Sequence, residues 1–183
     1  MQLIEKIVSP IYELPCWHVR QGRGSFVTFE FGQPHLEIRE ATDIKTEYRR
    51  VQESLPRRQV TVRGEWHLWI YCCHWEIYHD TRPVARDESS RSKIERVLRR
   101  LDGQKIIRIQ INPYSADTIF DFEYGERLIT RSYEQSEQSP YEQWYLFEPT
   151  GKVLAVRDDG RFGYHPSDTL PEKATWYELK PSL

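Results

Sequence analysis

Apolar and polar residues alternate with period two along much of this chain, the pattern of half-buried β-strands. The clearest case occurs twice. In GSFVTFEFGQPHLEIRE, starting at Gly24, and in DTIFDFEYGERLITRSY, starting at Asp117, the alternation runs up to a glycine and a second β-prone run follows. Phe29, Glu30, Phe31 and Gly32 align with Phe122, Glu123, Tyr124 and Gly125, which predicts a duplicated hairpin turning at Gly32 and at Gly125. A further β-prone segment precedes each copy, CWHVR at Cys16 and KIIRIQI at Lys105, so the pseudo-repeat halves run from about 16 to 80 and from about 104 to 165.

Between the copies lies RRQVTVRGEWHLWIYCCHWEIYHD, from Arg57 to Asp80. Val60, Val62, Trp66, Leu68, Ile70 and Cys72 share one parity, whereas Cys73, Trp75 and Ile77 share the other. One strand of about 20 residues would extend roughly 65 Å, too far for a domain of this size. The parity switch therefore predicts a bend or bulge at Cys72 and Cys73, with Gly64 as a second candidate. One helix is expected, at about 90 to 102: Ser90 or Ser92 is its N-cap, Ile94, Val97, Leu98 and Leu101 form its apolar stripe, and Asp102-Gly103 ends it. Downstream, WYLFE, KVLAVR and RFGYH are separated by Pro149-Thr150-Gly151 and Asp158-Asp159-Gly160, the turn chemistry of consecutive hairpins. Segments 41 to 56, 80 to 90 and 134 to 141 read as polar connections, and the tail after Pro166 carries no assignment. The fold class is mainly β with an α+β character: an antiparallel sheet or partly open barrel with a duplicated hairpin and one amphipathic helix.

Composition adds limits. With 183 residues the chain suits a single domain, and six Trp, eleven Tyr and seven Phe supply large rings for its core. Mean hydropathy is −0.73, and no apolar run approaches the roughly 18 residues of a membrane span. The opening MQLIEKIVSPIYELP lacks the basic start and apolar stretch of a secretory signal. Cys16, Cys72 and Cys73 are odd in number and two are adjacent, a poor disulfide framework. The expected location is therefore cytoplasmic, with free thiols. Charge is uneven: Arg82 to Arg108 holds nine basic and four acidic residues, and Asp117 to Glu148 eight acidic and two basic. Such asymmetry can steer a charged partner, although two solvated faces that partly neutralise one another are the plainer explanation.

Catalytic and metal chemistry find little support. His67, Cys72, Cys73, His74 and His79 have zinc-ligand chemistry, but neighbours in a strand point to opposite faces and no second ligand pair of standard spacing occurs. His165, Ser167 and Asp168 in YHPSDT lack a nucleophile elbow. Glu30 and Glu123 occupy equivalent places in the two copies, so a symmetric fold would bring them together as paired carboxylates, whereas outward-facing strand residues are the plainer reading. With no phosphate loop or dinucleotide fingerprint, no cofactor, metal or catalytic residue is assigned, and the Arg-rich helix gives only weak grounds for nucleic acid. The remaining feature is aromatic density. Trp66, Trp69, Tyr71, Trp75 and Tyr78 are either a strand covered on both sides or a face left for a ligand or partner, with Glu123 and Glu126 contributing from the acidic segment.

The repeated FEFG and FEYG strings, the helix ending in LDG and the closing YEQWYLFEPTGKVLAVRDDG resemble an uncharacterised bacterial family of small β-rich domains. Some of its members are grouped with immunity proteins of polymorphic toxin systems. The likeness runs from Cys16 to Gly160, and RGEWHLWIYCCHWEIY is an insertion relative to the family's shorter domains. Absent catalytic signatures and the charge asymmetry point to a non-enzymatic binding protein, and the likeness adds an immunity-type factor that masks a protein partner through a β surface edged by acidic segment 117 to 148. The alternative is a β barrel that binds a small apolar ligand, with a metal-dependent hydrolase behind it.

Overall fold

The computed structural model describes residues 2–42, 56–133 and 140–180. Its strands pair antiparallel throughout. One sheet has seven strands in the spatial order β1 (Trp17–Gln21), β2 (Val27–Phe31), β5 (Trp66–Ile70), β11 (Glu142–Phe147), β12 (Lys152–Arg157), β13 (Arg161–Pro166) and β14 (Trp176–Glu178). A second has five, in the order β7 (Arg82–Arg86), β6 (His74–His79), β10 (Glu126–Arg131), β9 (Thr118–Phe122) and β8 (Ile106–Ile111). β3 (His35–Arg39) and β4 (Gln59–Arg63) form a separate two-stranded arm. The fold is mainly β, as the alternation predicts, and both large sheets keep open edges, so no closed barrel forms.

The two large sheets share one core. Phe29 and Phe122 stack across it with centroids 6.0 Å apart, and Phe120 meets Trp144 edge-on at 5.6 Å. Trp144 Nε1 donates to Thr118 Oγ1 at 2.9 Å, which satisfies the indole where water is excluded. Burying each such ring contributes on the order of 2 kcal/mol from apolar area alone.

The helix α2 (Arg91–Leu101) follows Ser90 and buries Ile94, Val97, Leu98 and Leu101 against β1 and β7. Ser90 occupies the N-cap position without donating its side chain to that role. The chain leaves the helix at Asp102, and Gly103, at φ +93, donates its N–H to Cys16 O. A second helix was not expected from the sequence: α1 (Gln2–Val8) and a 3-10 turn (Ser9–Glu13) bury Ile4, Ile7, Val8 and Ile11. At seven residues α1 is too short to show helical periodicity clearly, and its burial rather than its propensity sustains it.

The duplicated hairpin forms only once. At Gly125 (φ +87) the chain reverses, and β9 pairs with β10. At Gly32 (φ +76) it only bends, because β2 pairs with β1 and β5, and β3 pairs onward with β4. Phe31 opposes Trp66 and His35 opposes Arg63, so residues 27–39 and 59–70 are one long ribbon kinked between those pairs. β5 occupies the flank of β2 that a returning hairpin strand would need. Pro34, which has no N–H, follows the kink where the ladder is interrupted. A side chain at Gly64 would overlap the Phe31 carbonyl oxygen and lie 2.7 Å from the Phe31 nitrogen, so the bend needs glycine there.

The parity switch at Cys72 and Cys73 is a change of sheet. β5 belongs to the seven-stranded sheet and β6 to the five-stranded one, so Leu68 and Ile70 reach the core from one side and Cys73, Trp75 and Ile77 from the other. The meander β11 to β13 turns at Gly151 and Gly160 as expected. Segment 80 to 90 is more than a connection, since it contains β7, and the tail supplies a 3-10 turn (Pro171–Lys173) and β14. The connections expected at 41 to 56 and 134 to 141 fall largely outside the described residues. No helix among the described residues is long and apolar enough to cross a membrane.

An aromatic cleft on the outer face of the seven-stranded sheet

Strand alternation that points Phe29, Phe31, Leu68, Ile70, Trp144 and Leu146 into the core sends the intervening residues to the other face. Register then aligns them in rows across β2, β5 and β11. Thr28 lies opposite Trp69 and Trp69 opposite Tyr145, while Glu30 lies opposite His67 and His67 opposite Phe147. Phe26 and Tyr71 extend the first row: Trp69 and Tyr71 are 4.6 Å apart, Phe26 and Tyr71 4.7 Å, and Trp69 and Tyr145 5.8 Å between centroids. These rings are half-buried by one another. The main helix packs on β1 and β7, and the N-terminal 3-10 turn packs on β8.

Above Trp69, His67 and Phe147 opens a cleft of about 670 Å³. The polar side of the arm, His35, Glu37 and Arg63, forms one wall, and Glu148, Pro149 and Gly151 with Ser167 form the other. A smaller hollow of about 450 Å³ adjoins it beside Arg20, Arg23 and Phe26 and shares Arg63, His67 and Trp69 with it.

Glu30 anchors this geometry. Its carboxylate is fully buried, with Oε1 at 3.1 Å from Arg63 Nη1 and 3.0 Å from His67 Nδ1, and with Oε2 accepting the Gly64 N–H at 3.0 Å. Burial pushes its pKa up, but His67, the Gly64 amide and Arg63 together outweigh that and hold it below the usual carboxylate range. Glu30 Oε1 engages His67 through Nδ1, which leaves the Nε2 edge of the ring for another partner. Arg63 Nε also donates to Glu37 Oε2 at 2.9 Å, and Glu65 Oε2 accepts the Gln33 N–H at 3.0 Å, so the kinked ribbon and the cleft wall are held by one network. Tyr145 and Tyr71 are both raised, by burial first, and remain phenols at neutral pH.

The residues expected to bind a ligand or partner divide. Trp69 and Tyr71 lie on the outer face, whereas Trp66 packs against the core. Trp75, at 1% exposure, is a core residue whose Nε1 donates to Ser25 O, so it presents no recognition surface. Tyr78 is on the other sheet, where its hydroxyl donates to Glu76. Glu123 accepts the Lys105 N–H. Glu126, 4% exposed, is bound by Arg100 and Gln104 and lies 3.1 Å from His79 Nδ1. These two carboxylates are therefore held by internal partners and do not edge the aromatic face. Glu30 lies in β2 of one sheet and Glu123 in the turn that follows β9 of the other, and they share no hydrogen-bond partner, so they do not form a carboxylate pair.

Among the described residues no group of three or more His, Cys, Asp or Glu side chains converges as metal ligands. Cys73 is buried with its thiol toward Gln143 O, His74 pairs with Asp87 at 2.7 Å, and His67 with Glu30. Sequence reasoning missed Phe26, Glu30 as an anchor, Arg63, His67, Tyr145 and Phe147 as one constellation. The alternation of Tyr145 and Phe147 with Trp144 and Leu146 carried part of that signal. No protein-family model matches this chain, and searches of curated proteins and of solved structures find no match either.

Proposed function

We propose that this chain is a non-enzymatic binding protein that recognises its target through the cleft face of the seven-stranded sheet. The observation that supports it is the cluster of Phe26, Trp69, Tyr71, Tyr145 and Phe147, drawn from two adjacent rows and kept out of the core by strand parity. Trp and Tyr dominate binding hot spots because they bring large area at small entropy cost. The finer reading is an immunity-type factor that masks a protein partner, following the resemblance of the sequence. A small ligand is the second reading, favoured by the cleft of about 670 Å³, which falls in the size range of ligand pockets. Such a ligand would sit on the outside of the sheet, because side chains fill the interior between the sheets.

Native pull-downs with wild-type protein and a Trp69→Ala/Tyr145→Ala double variant test the proposal. Loss of the wild-type partner by a double variant that still folds is the expected result. Equal retention of the partner by both proteins, or turnover of a small substrate by the purified wild type, would overturn it.

A further inference from the structure

The charge state of the cleft narrows the chemistry of its occupant. Arg63 is held by Glu30 and Glu37, His67 by Glu30, and Glu65 by the Gln33 amide. Glu148 accepts from the Tyr164 hydroxyl at 2.6 Å and from Thr150. Of these carboxylates only Glu30 and Glu37 face a cationic partner, whereas Glu65 and Glu148 accept only from neutral amide and hydroxyl donors, so a rim with an excess of acceptors surrounds the apolar floor. A small ion would leave the aromatic floor uncovered, and among the described residues no three or more His, Cys, Asp or Glu side chains converge to hold one, while a purely apolar ligand would strand the polar rim. A ligand with an apolar face and a rim of hydroxyls satisfies both parts.

From this we infer that the cleft binds a polyhydroxylated ligand, a short oligosaccharide, with a C–H face of one sugar ring on Trp69 and with hydroxyls meeting His67 Nε2, Arg63 and Glu148. The inference rests on the cleft being the recognition face. The volume of about 670 Å³ suits an oligosaccharide better than a single ion, and the adjoining hollow continues the track past Phe26. Arg20 and Arg23 in that hollow have no carboxylate partner among the described residues, so an acidic sugar is accommodated at that end. The same chemistry reaches the cleft from a free saccharide or from a glycan carried on a protein.

Isothermal titration with cellobiose, maltose, N,N′-diacetylchitobiose and digalacturonic acid tests the free form. Capture of ovalbumin before and after enzymatic removal of its glycans tests the carried form. Saturable binding is expected in at least one arm, weakened about tenfold or more in Trp69→Ala, a loss of about 1.4 kcal/mol. His67→Ala weakens it less, and Arg127→Ala on the opposite sheet leaves it unchanged. Absence of saturable binding in every arm, or undiminished binding by a folded Trp69→Ala protein, overturns the inference. If every saccharide arm fails while the Trp69→Ala/Tyr145→Ala protein still loses its partner in pull-downs, the ligand class falls and the recognition face stands.

Discussion

The outer faces of the two large sheets solve the same problem in opposite ways. On the five-stranded sheet Asp121 lies between Arg108 and Arg127, at 2.7 and 2.6 Å, and Glu76 pairs with Arg131 at 2.6 Å while accepting the Tyr78 hydroxyl. That face is a ladder of cross-strand ion pairs whose members satisfy one another and water. On β5 and β11 of the seven-stranded sheet the corresponding outward positions carry rings, and the charges beside them gather around the buried carboxylate of Glu30. Contiguous apolar surface of this kind favours association, which is the ground for proposing that face as the recognition surface.

The comparison can be broken at several points. Trp75→Ala, on the core side of the sheet change, should cost about 4 kcal/mol in urea or guanidinium unfolding, the usual penalty for emptying a buried aromatic site. Glu30→Ala should cost about 3 kcal/mol, because it leaves the Gly64 amide, Arg63 and His67 without their acceptor. A cost below that of an exposed pair would show that Glu30 does not anchor the kink. Asp121→Asn on the opposite face should cost only about 1 kcal/mol, since both arginines are substantially exposed. Trp69→Ala should change stability by less than about 1 kcal/mol while removing binding, the reverse of Trp75→Ala.

Acid should act on both faces in the same direction. Glu30 and Asp121 each have a lowered pKa in the folded protein, for Asp121 because Arg127 and Arg108 outweigh the rise that burial causes. A carboxyl with a lowered folded pKa binds fewer protons when folded than when unfolded. The stability it contributes is complete above the unfolded value of about 4 and disappears as pH falls through the folded value. Denaturation midpoints measured from pH 7 down to pH 2 should therefore decline on acidification, and the acid slope should be shallower in Glu30→Gln than in wild type. An unchanged slope in that variant would mean that Glu30 does not titrate between the two states.

The two aligned motifs show where sequence reasoning stops. FEFG and FEYG bury Phe29 and Phe122 alike and place both glycines at positive φ, yet one glycine bends a ribbon and the other closes a hairpin. The glycine conformation is local and so was legible. The partner strand was not, because β5, distant in sequence, takes the flank of β2. Likewise the parity switch at Cys72 and Cys73 announced a discontinuity, and only the structure showed it to be a passage between sheets. Trp69 and Tyr71 were recognised as candidates, but Trp75 was grouped with them because aromatic density carries no sign of which side a ring faces.

By itself the sequence determined the period-two strands, the amphipathic helix at 91–101, the glycine turns and the places where alternation changes phase, all of which depend on residues close together in the chain. Tertiary structure decided which strands became neighbours and therefore which outward rows met. The cleft depends on β2, β5, β11 and the β3–β4 arm lying side by side, and the register of strands far apart in the chain is set by the shared core they bury together.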